Sequence, residues 1–290
     1  MQLRSRGLRE LCGLLGYSTQ AYYQYTKATE SRSFKQEELI QQVLAHRKDQ
    51  PRIGTRKLLT LVQPDMGRDA FFGLLRENGL LVRRKRYRAR TTFSCHRFKK
   101  YPDLAKDMVA DRPEQLWVSD ITYIRTGQSF AYLSLVTDAY SRKIIGFSLS
   151  HDLSTDNCLR ALKMALSTRM TDKPLVHHSD RGTQYCSVAY TKLLKRKGIE
   201  ISMTESGNPR DNAIAERVNG ILKMELLKEK YDDIKTAIQS IERAITIYNE
   251  LRPHTSLDML TPKKAHAMTG PIKRRWQNYY PVKDQTTIIV

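Results

Sequence analysis

The stretch Leu116-Trp-Val-Ser-Asp-Ile-Thr-Tyr-Ile124 alternates apolar and polar residues as a half-buried strand does. Phe130-Ala-Tyr-Leu-Ser-Leu-Val136 repeats the signal after a turn at Gly127, and Lys143 to Ser150 makes a third strand. Ser154 is placed to cap a helix running to about Thr168, Pro174 to His178 reads as a fourth strand, Ser187 to Lys197 as a helix, and Glu200 to Met203 as a fifth strand. Three strands followed by alternating helix and strand predict an α/β domain.

Two acids occupy unusual places on this scaffold. Asp120 lies inside the first strand, and Asp180 ends the fourth, just before Arg181-Gly182. A carboxylate on a mostly apolar strand loses water on folding, and two brought together repel, so both costs call for a cation. Mg²⁺ or Mn²⁺ suits carboxylate oxygens, and a pair of such ions serves phosphodiester chemistry if a third carboxylate is available. Beyond the turn-forming Gly207-Asn208-Pro209, Asp211-Asn212 opens a helix, and Glu216 sits about one turn inside it. Asp138, Asp152, Glu205 and Asp211 are the competing acids nearby; Asp211 is the nearest, and its place before the helix suits a cap.

Thirty-five residues separate Asp180 from Glu216, and at this point the sequence resembles the retroviral-integrase superfamily. Trp117-Val-Ser-Asp120-Ile-Thr-Tyr123, His178-Ser-Asp180-Arg-Gly-Thr-Gln-Tyr185 and Asn208-Pro-Arg-Asp-Asn-Ala-Ile-Ala-Glu216 look like the three motifs of bacterial insertion-sequence transposases of the second-reading-frame (OrfB) type. The likeness extends through Ile53-Gly-Thr-Arg56, Leu74-Leu-Arg-Glu-Asn-Gly79-Leu80, Tyr248-Asn-Glu-Leu-Arg-Pro253-His254 and Leu260-Thr-Pro262. It implies an RNase H-like DDE integrase core over 113–227, a mixed five-stranded sheet flanked by helices, with a helical extension over 228–270 and a tail over 271–290. It further implies that Asp120, Asp180 and Glu216 are both the catalytic residues and the ligands of two Mg²⁺ or Mn²⁺ ions. The reaction implied is cleavage at the transposon's terminal inverted repeats followed by strand transfer into target DNA, inside a homo-oligomer. A DNA-binding protein from an upstream frame, or a frameshift fusion to it, belongs to the same expectation.

The charge agrees with a nucleic-acid partner: 50 Lys and Arg against 30 Asp and Glu leave a net charge of +20. Residues 1–112 hold 24 basic and 11 acidic residues, against 15 and 12 in 113–225. Leu8 to Tyr17 has helical apolar spacing ended by Gly16, and Ser18 or Thr19 can cap a second short helix carrying Gln20, Tyr22 and Tyr23, a helix-turn-helix outline over 1–30. A DNA-binding module is expected over 35–90: a helix over Lys35 to Lys48, further helices over Thr55 to Val62, which carries Arg56, and Gly67 to Asn78, then Leu80 to Val82 as a short strand. That strand leads into a basic wing of Arg83, Arg84, Lys85, Arg86, Arg88 and Arg90, and a basic linker fills 91–112. These small α-helical helix-turn-helix and winged-helix-like modules would precede the core. Around the acids, Arg181, Gln184, Tyr185, Asn212 and Arg217 are candidate DNA contacts, with packing or plain solvation as the bland alternative for each. His178 reads first as a packed strand residue, and Arg252-Pro253-His254 as a brace behind the helix Ile234 to Leu251.

Cys12, Cys95, Cys158 and Cys186 form no C-x-x-C pair, and no uninterrupted apolar span occurs, so a zinc module and a membrane role are not expected. A cytoplasmic, nucleoid-associated protein fits best. Two other functional readings stay open: a nuclease on the same fold that cuts without joining, and a DNA-binding repressor with a relict site.

Overall fold

The structure is a computed structural model that describes residues 7–82, 97–106, 108–127, 129–205 and 212–273. It divides into two compact units, Met1–Arg83 and Arg84–Val290. The wing residues Arg83, Arg84, Lys85, Arg86, Arg88 and Arg90 lie outside the described residues, as do residues 91–96 of the expected linker and most of the expected tail.

The first unit is helical: α1 (Leu8–Leu14), α2 (Thr19–Asp49), α3 (Thr55–Val62) and α4 (Arg68–Glu77). Ser18 caps α2 by accepting from the Ala21 N–H at 3.1 Å. The expected break after residue 30 is absent, because no Gly or Pro interrupts the chain between Gly16 and Pro51 and the helix runs on for 31 residues. The outline of a separate short reading helix is therefore corrected: Gln20, Tyr22 and Tyr23 sit exposed on the first turns of a long helix. The unit's core is instead Val43, Ile53, Leu58, Phe71 and Leu75, gathered from α2, α3, α4 and the α2–α3 turn. Arg56 is exposed on α3. Leu80 to Val82 forms no strand; the Arg47 guanidinium holds the Leu80 carbonyl there at 2.5 Å.

The second unit is built on a five-stranded sheet, with β1 (Leu116–Thr126), β2 (Ser129–Asp138), β3 (Ile144–Ser150), β4 (Val176–Ser179) and β5 (Glu200–Met203) in the order β3-β2-β1-β4-β5. β1, β2 and β3 form an antiparallel meander, while β4 and β5 add in parallel on the other side of β1. This is the mixed sheet expected of an RNase H-like core. The helices are α5 (Thr155–Ser167), the short α6 (Thr183–Cys186), α7 (Val188–Arg196), α8 (Ala213–Ile221), α9 (Ile234–Glu250) and α10 (Pro262–His266). A π-helical turn, Leu222–Leu226, continues α8.

Side-chain alternation on β1 assigns the two faces. Trp117 joins Cys158, Ala161, Leu162, Tyr190 and Leu194 under α5 and α7. Leu116 and Val118 pack instead with Val176 and Ala215 on the α8 side. Further along that face, Leu133, Leu135, Val218, Ile241, Ala244 and Tyr248 bury α8 and α9 against β2. Gly146 lets α5 lie close on β3, since a Cβ there would come within 2.1 Å of the Ala161 carbonyl oxygen. Ser154 stands at the N-cap of α5 without a side-chain capping bond, whereas Ser187 caps α7 through the Tyr190 N–H at 3.3 Å. Among the described residues no helix is long and apolar enough to cross a membrane.

Candidate active site

β1 and β4 are paired Leu116 to Val176, Trp117 to His177 and Val118 to His178. Carried two residues on, this register sets Asp120 level with Asp180 on neighbouring strands, which run about 4.8 Å apart. Both then point to the face that Leu116, Val118 and Val176 share with α8. β4 ends at Ser179, one residue short of Asp180, which opens the turn into α6. There its Oδ1 accepts the Gly182 N–H at 3.0 Å. A Cβ on Gly182 would stand 2.9 Å from the same oxygen, so glycine keeps that carboxylate uncrowded.

α8 lies across these strands with a polar stripe at helical spacing, Asn212, Glu216, Asn219 and Lys223. Asn212 donates to the Ser119 carbonyl at 2.9 Å, Asn219 to Asp120 Oδ2 at 2.7 Å, and Lys223 Nζ reaches Thr122 Oγ1 at 3.3 Å. Glu216 sits between the first two contacts, its side chain exposed at the rim. Asp120 Oδ1 accepts the Ile121 N–H at 2.9 Å.

Burial pushes the half-buried Asp120 carboxyl up from about 3.8 to about 7, and the negative charges of Asp180 and Glu216 push the same way. The hydrogen bonds from Asn219 and Ile121 oppose the rise without cancelling it. Glu216 is also raised, by burial. On the opposite face, burial and then the neighbouring His178 drive His177 down to about 3, so its ring is neutral; its Nε2 is shared by Ser119 Oγ at 2.8 Å and Tyr190 Oη at 3.0 Å. His178 is buried, with Nδ1 2.8 Å from Ser202 Oγ and 3.7 Å from Asp103, and is packed as expected.

Two of the expected DNA contacts need correction. Tyr185 is 2% exposed in the core beneath α5 and α7, because α6 turns it inward against His177 and Tyr190. Asn212 is 7% exposed and committed to β1, so it anchors α8. Gln184 donates to the Leu153 carbonyl at 3.0 Å, Arg181 is half-buried, and Arg217 is exposed beside Glu216. Asn219 and Lys223 were missed by sequence reasoning. Their distance from Glu216, three and seven residues, was the available signal.

The donor set suits a hard divalent cation. Two level carboxylates hold one proton more readily than two charges, and among the described residues the buried Asn219 Oδ1 beside them has no hydrogen-bond partner. Among the described residues no group of three or more His, Cys, Asp or Glu side chains is gathered closely enough to hold a metal ion.

Known proteins agree with this architecture. Two models of the integrase core domain match residues 110–209 and 197–262. An uncharacterized 31 kDa protein of insertion element IS600 from Shigella sonnei is 32% identical over 272 residues, covering 90% of this chain and all of that protein. The chain belongs to the insertion-sequence transposases with an integrase core. It is thereby a DDE transposase, a polynucleotidyl transferase by class. The transposase InsF of insertion sequence IS3A from Escherichia coli (strain K12) is 33% identical over 66% of this transposase and 67% of its own length. The transposase of insertion sequence element IS629 from Shigella sonnei is 39% identical over 49% of the chain and 48% of its own length. Likeness to solved structures is modest, and the assignment does not rest on it. The catalytic core domain of HTLV-2 integrase in complex with magnesium gives a TM-score of 0.44 at 20% identity, over 55% of this chain and 99% of that one. A simian T-cell lymphotropic virus intasome chain gives 0.48 at 17%, over 84% and 78%.

Proposed function

We propose that this transposase cuts DNA at the ends of its element and joins the freed ends to target DNA, with Asp120, Asp180 and Glu216 as the catalytic carboxylates holding two Mg²⁺ or Mn²⁺ ions. The observation that carries the reading is the parallel register of β1 and β4, which carried two residues on sets Asp120 level with Asp180 under the helix of Glu216, where burial first and then the Asp180 charge raise Asp120 to about 7. Bound divalent ions supply an activated water or 3′-hydroxyl and stabilise the leaving oxygen of a phosphodiester. The chain's own part is positioning. Asn219 fixes the Asp120 carboxylate, the Gly182 N–H fixes that of Asp180, and α8 presents Glu216 at the open rim where DNA arrives. Lys223 places a positive charge within reach of a phosphate at the same rim.

The helical first unit and the basic run from Arg83 to Lys100 serve as the DNA-holding modules, and copies of the chain assemble on the paired ends. An upstream-frame partner belongs to the same proposal.

The test is cleavage and strand transfer of double-stranded oligonucleotides copied from the DNA flanking the gene, with Mg²⁺, comparing wild type with Glu216→Gln. The substitution keeps the shape and removes one ligand charge. Its loss of rate should exceed the roughly 10- to 100-fold cost typical of an outer partner of a metal ligand, with DNA affinity retained. Equal activity in both proteins refutes the site; cut but unjoined ends mean a nuclease, and DNA binding without cleavage in wild type means a relict enzyme.

A further inference from the structure

The sheet face under α5 and α7 is not covered along its whole length. Cross-strand register sets Tyr123 opposite Tyr132 and Arg125 opposite Phe130, all on the face that Trp117 and Ile121 share. The rings form one group: Tyr123 stands 5.2 Å from Tyr132 and 6.1 Å from Phe130, centroid to centroid, and the exposed Arg125 guanidinium lies 5.8 Å over the Phe130 ring. α5 starts short of Phe130. Its Asn157 donates to the Tyr132 carbonyl at 2.7 Å, and from there the helix runs toward Gly146, the partner of Val136 further along β2. Phe130 lies on the other side of that start and is 44% exposed, and none of the three rings joins an apolar cluster of the described residues.

The group lies near the acids along β1. Tyr123 follows Asp120 by three residues, about 10 Å along the strand, and faces the other way. The pairing of β1 with β4 ends at Val118, and on that side the next described neighbour is Tyr231, bonded to Arg125 and Gly127. Among the described residues no strand pairs with that edge of β1 between Asp120 and Arg125, so only the thickness of β1 separates the acid face from the ring face there.

We propose that Tyr123, Phe130 and Tyr132, with Arg125, form a stacking platform for unpaired nucleotides of the DNA strand that passes the acids. The inference rests on the catalytic reading of Asp120, Asp180 and Glu216, which brings DNA to this edge. Flat rings take up bases that are free of a partner strand, and an arginine among them adds attraction for the phosphates between the bases. Two tyrosine hydroxyls and a guanidinium suit a polar, anionic ligand better than a dry protein interface. A strand leaving the acids round the unpaired edge of β1 reaches the rings within a few nucleotides.

The bland alternative is that the rings only steady the β1–β2 hairpin as cross-strand pairs. The test uses the full chain in EDTA as wild type, Phe130→Ala, Phe130→Leu and Phe130→Trp. It reads affinity for a blunt duplex oligonucleotide from the gene's flank and for the same duplex with short unpaired 3′ or 5′ tails carrying the fluorescent base 2-aminopurine. Wild type should prefer one tailed form about tenfold, as one stacked base gives, and quench its fluorescence. Phe130→Ala and Phe130→Leu should abolish the preference and the quenching while binding the blunt duplex as wild type does, and Phe130→Trp should keep both. Leucine retains apolar bulk without a flat ring, so it separates stacking from folding even where the alanine variant melts lower. Equal wild-type affinity for blunt and tailed forms overturns the proposal, as does a Phe130→Leu protein that loses affinity for all forms alike. A Phe130→Leu protein with a changed oligomeric state and an intact tail preference overturns it too, by giving the rings to a second copy. If wild type prefers the tail but never cuts when Mg²⁺ is added, the catalytic reading falls alone and the platform stands.

Discussion

Replacing Asp120 by asparagine should stabilise the metal-free transposase, and the gain should grow with pH. The Asp120 carboxyl titrates at about 7 in the folded chain against about 3.8 in an ordinary environment. A group with a raised acid value binds more protons folded than unfolded, so its contribution falls as pH rises from about 4 and levels off above about 7. The gap corresponds to about 4 kcal/mol as a ceiling. Solvent reaches the half-buried side chain, which brings the working figure to about 2 kcal/mol. For a unit of this size that is about 4–8 °C in melting temperature. Asparagine is accommodated: one amide atom still accepts from a donor that Asp120 satisfied, and Asn219 can turn its partnerless Oδ1 toward the new amide. The assay is thermal melting of wild type and Asp120→Asn in EDTA at pH 4, 5.5 and 7.5, then at pH 7.5 with Mg²⁺. The mutant should match wild type at pH 4, exceed it at pH 7.5, and lose the advantage when Mg²⁺ raises wild type alone. A pH-independent difference, or a mutant that melts lower in EDTA at pH 7.5, refutes the account of the site as a charge cluster awaiting a cation.

Asn212→Ala should lower stability by about 1–2 kcal/mol through the lost bond to the Ser119 carbonyl, seen as a lower melting temperature, while oligonucleotide affinity stays as in wild type. A weakened affinity at unchanged stability would restore Asn212 as a DNA contact. Arg252→Met should cost about 3–5 kcal/mol, because it strips the buried guanidinium from Glu225, which it grips at 2.8 and 2.9 Å. The double variant with Glu225→Met should recover most of that in chemical denaturation, and failure to recover would mean the pair matters for more than its own neutrality.

The fold of the core was readable because its signals are local. Each strand from Leu116 to Met203 carries alternation or a short apolar run between turn residues, and the structure returns all five within a few residues of the expected bounds. The helix break near residue 30 was misread because tyrosines and polar residues after Ser18 look like a short element. What decides helix length is the absence of a breaker before Pro51, a negative signal that is easy to pass over.

The site divides along the same line. Asp120 and Asp180 stand out because a charge on an apolar strand is locally anomalous, and Glu216 because it falls at a motif's spacing from them. Tyr185 and Asn212 sit beside those acids in sequence and were read as neighbours of the substrate. Nearness in sequence does not decide what a side chain touches: α6 turns Tyr185 into the core, and Asn212, on the same stripe as Glu216, is taken up by the Ser119 carbonyl. Conversely, Asn219 and Lys223 are unremarkable residues until α8 is laid along β1, after which the period of the helix brings each to a particular β1 oxygen. The residues that hold the acids in place are thus set by the contact between two elements, and a contact between elements is what a linear reading carries least of.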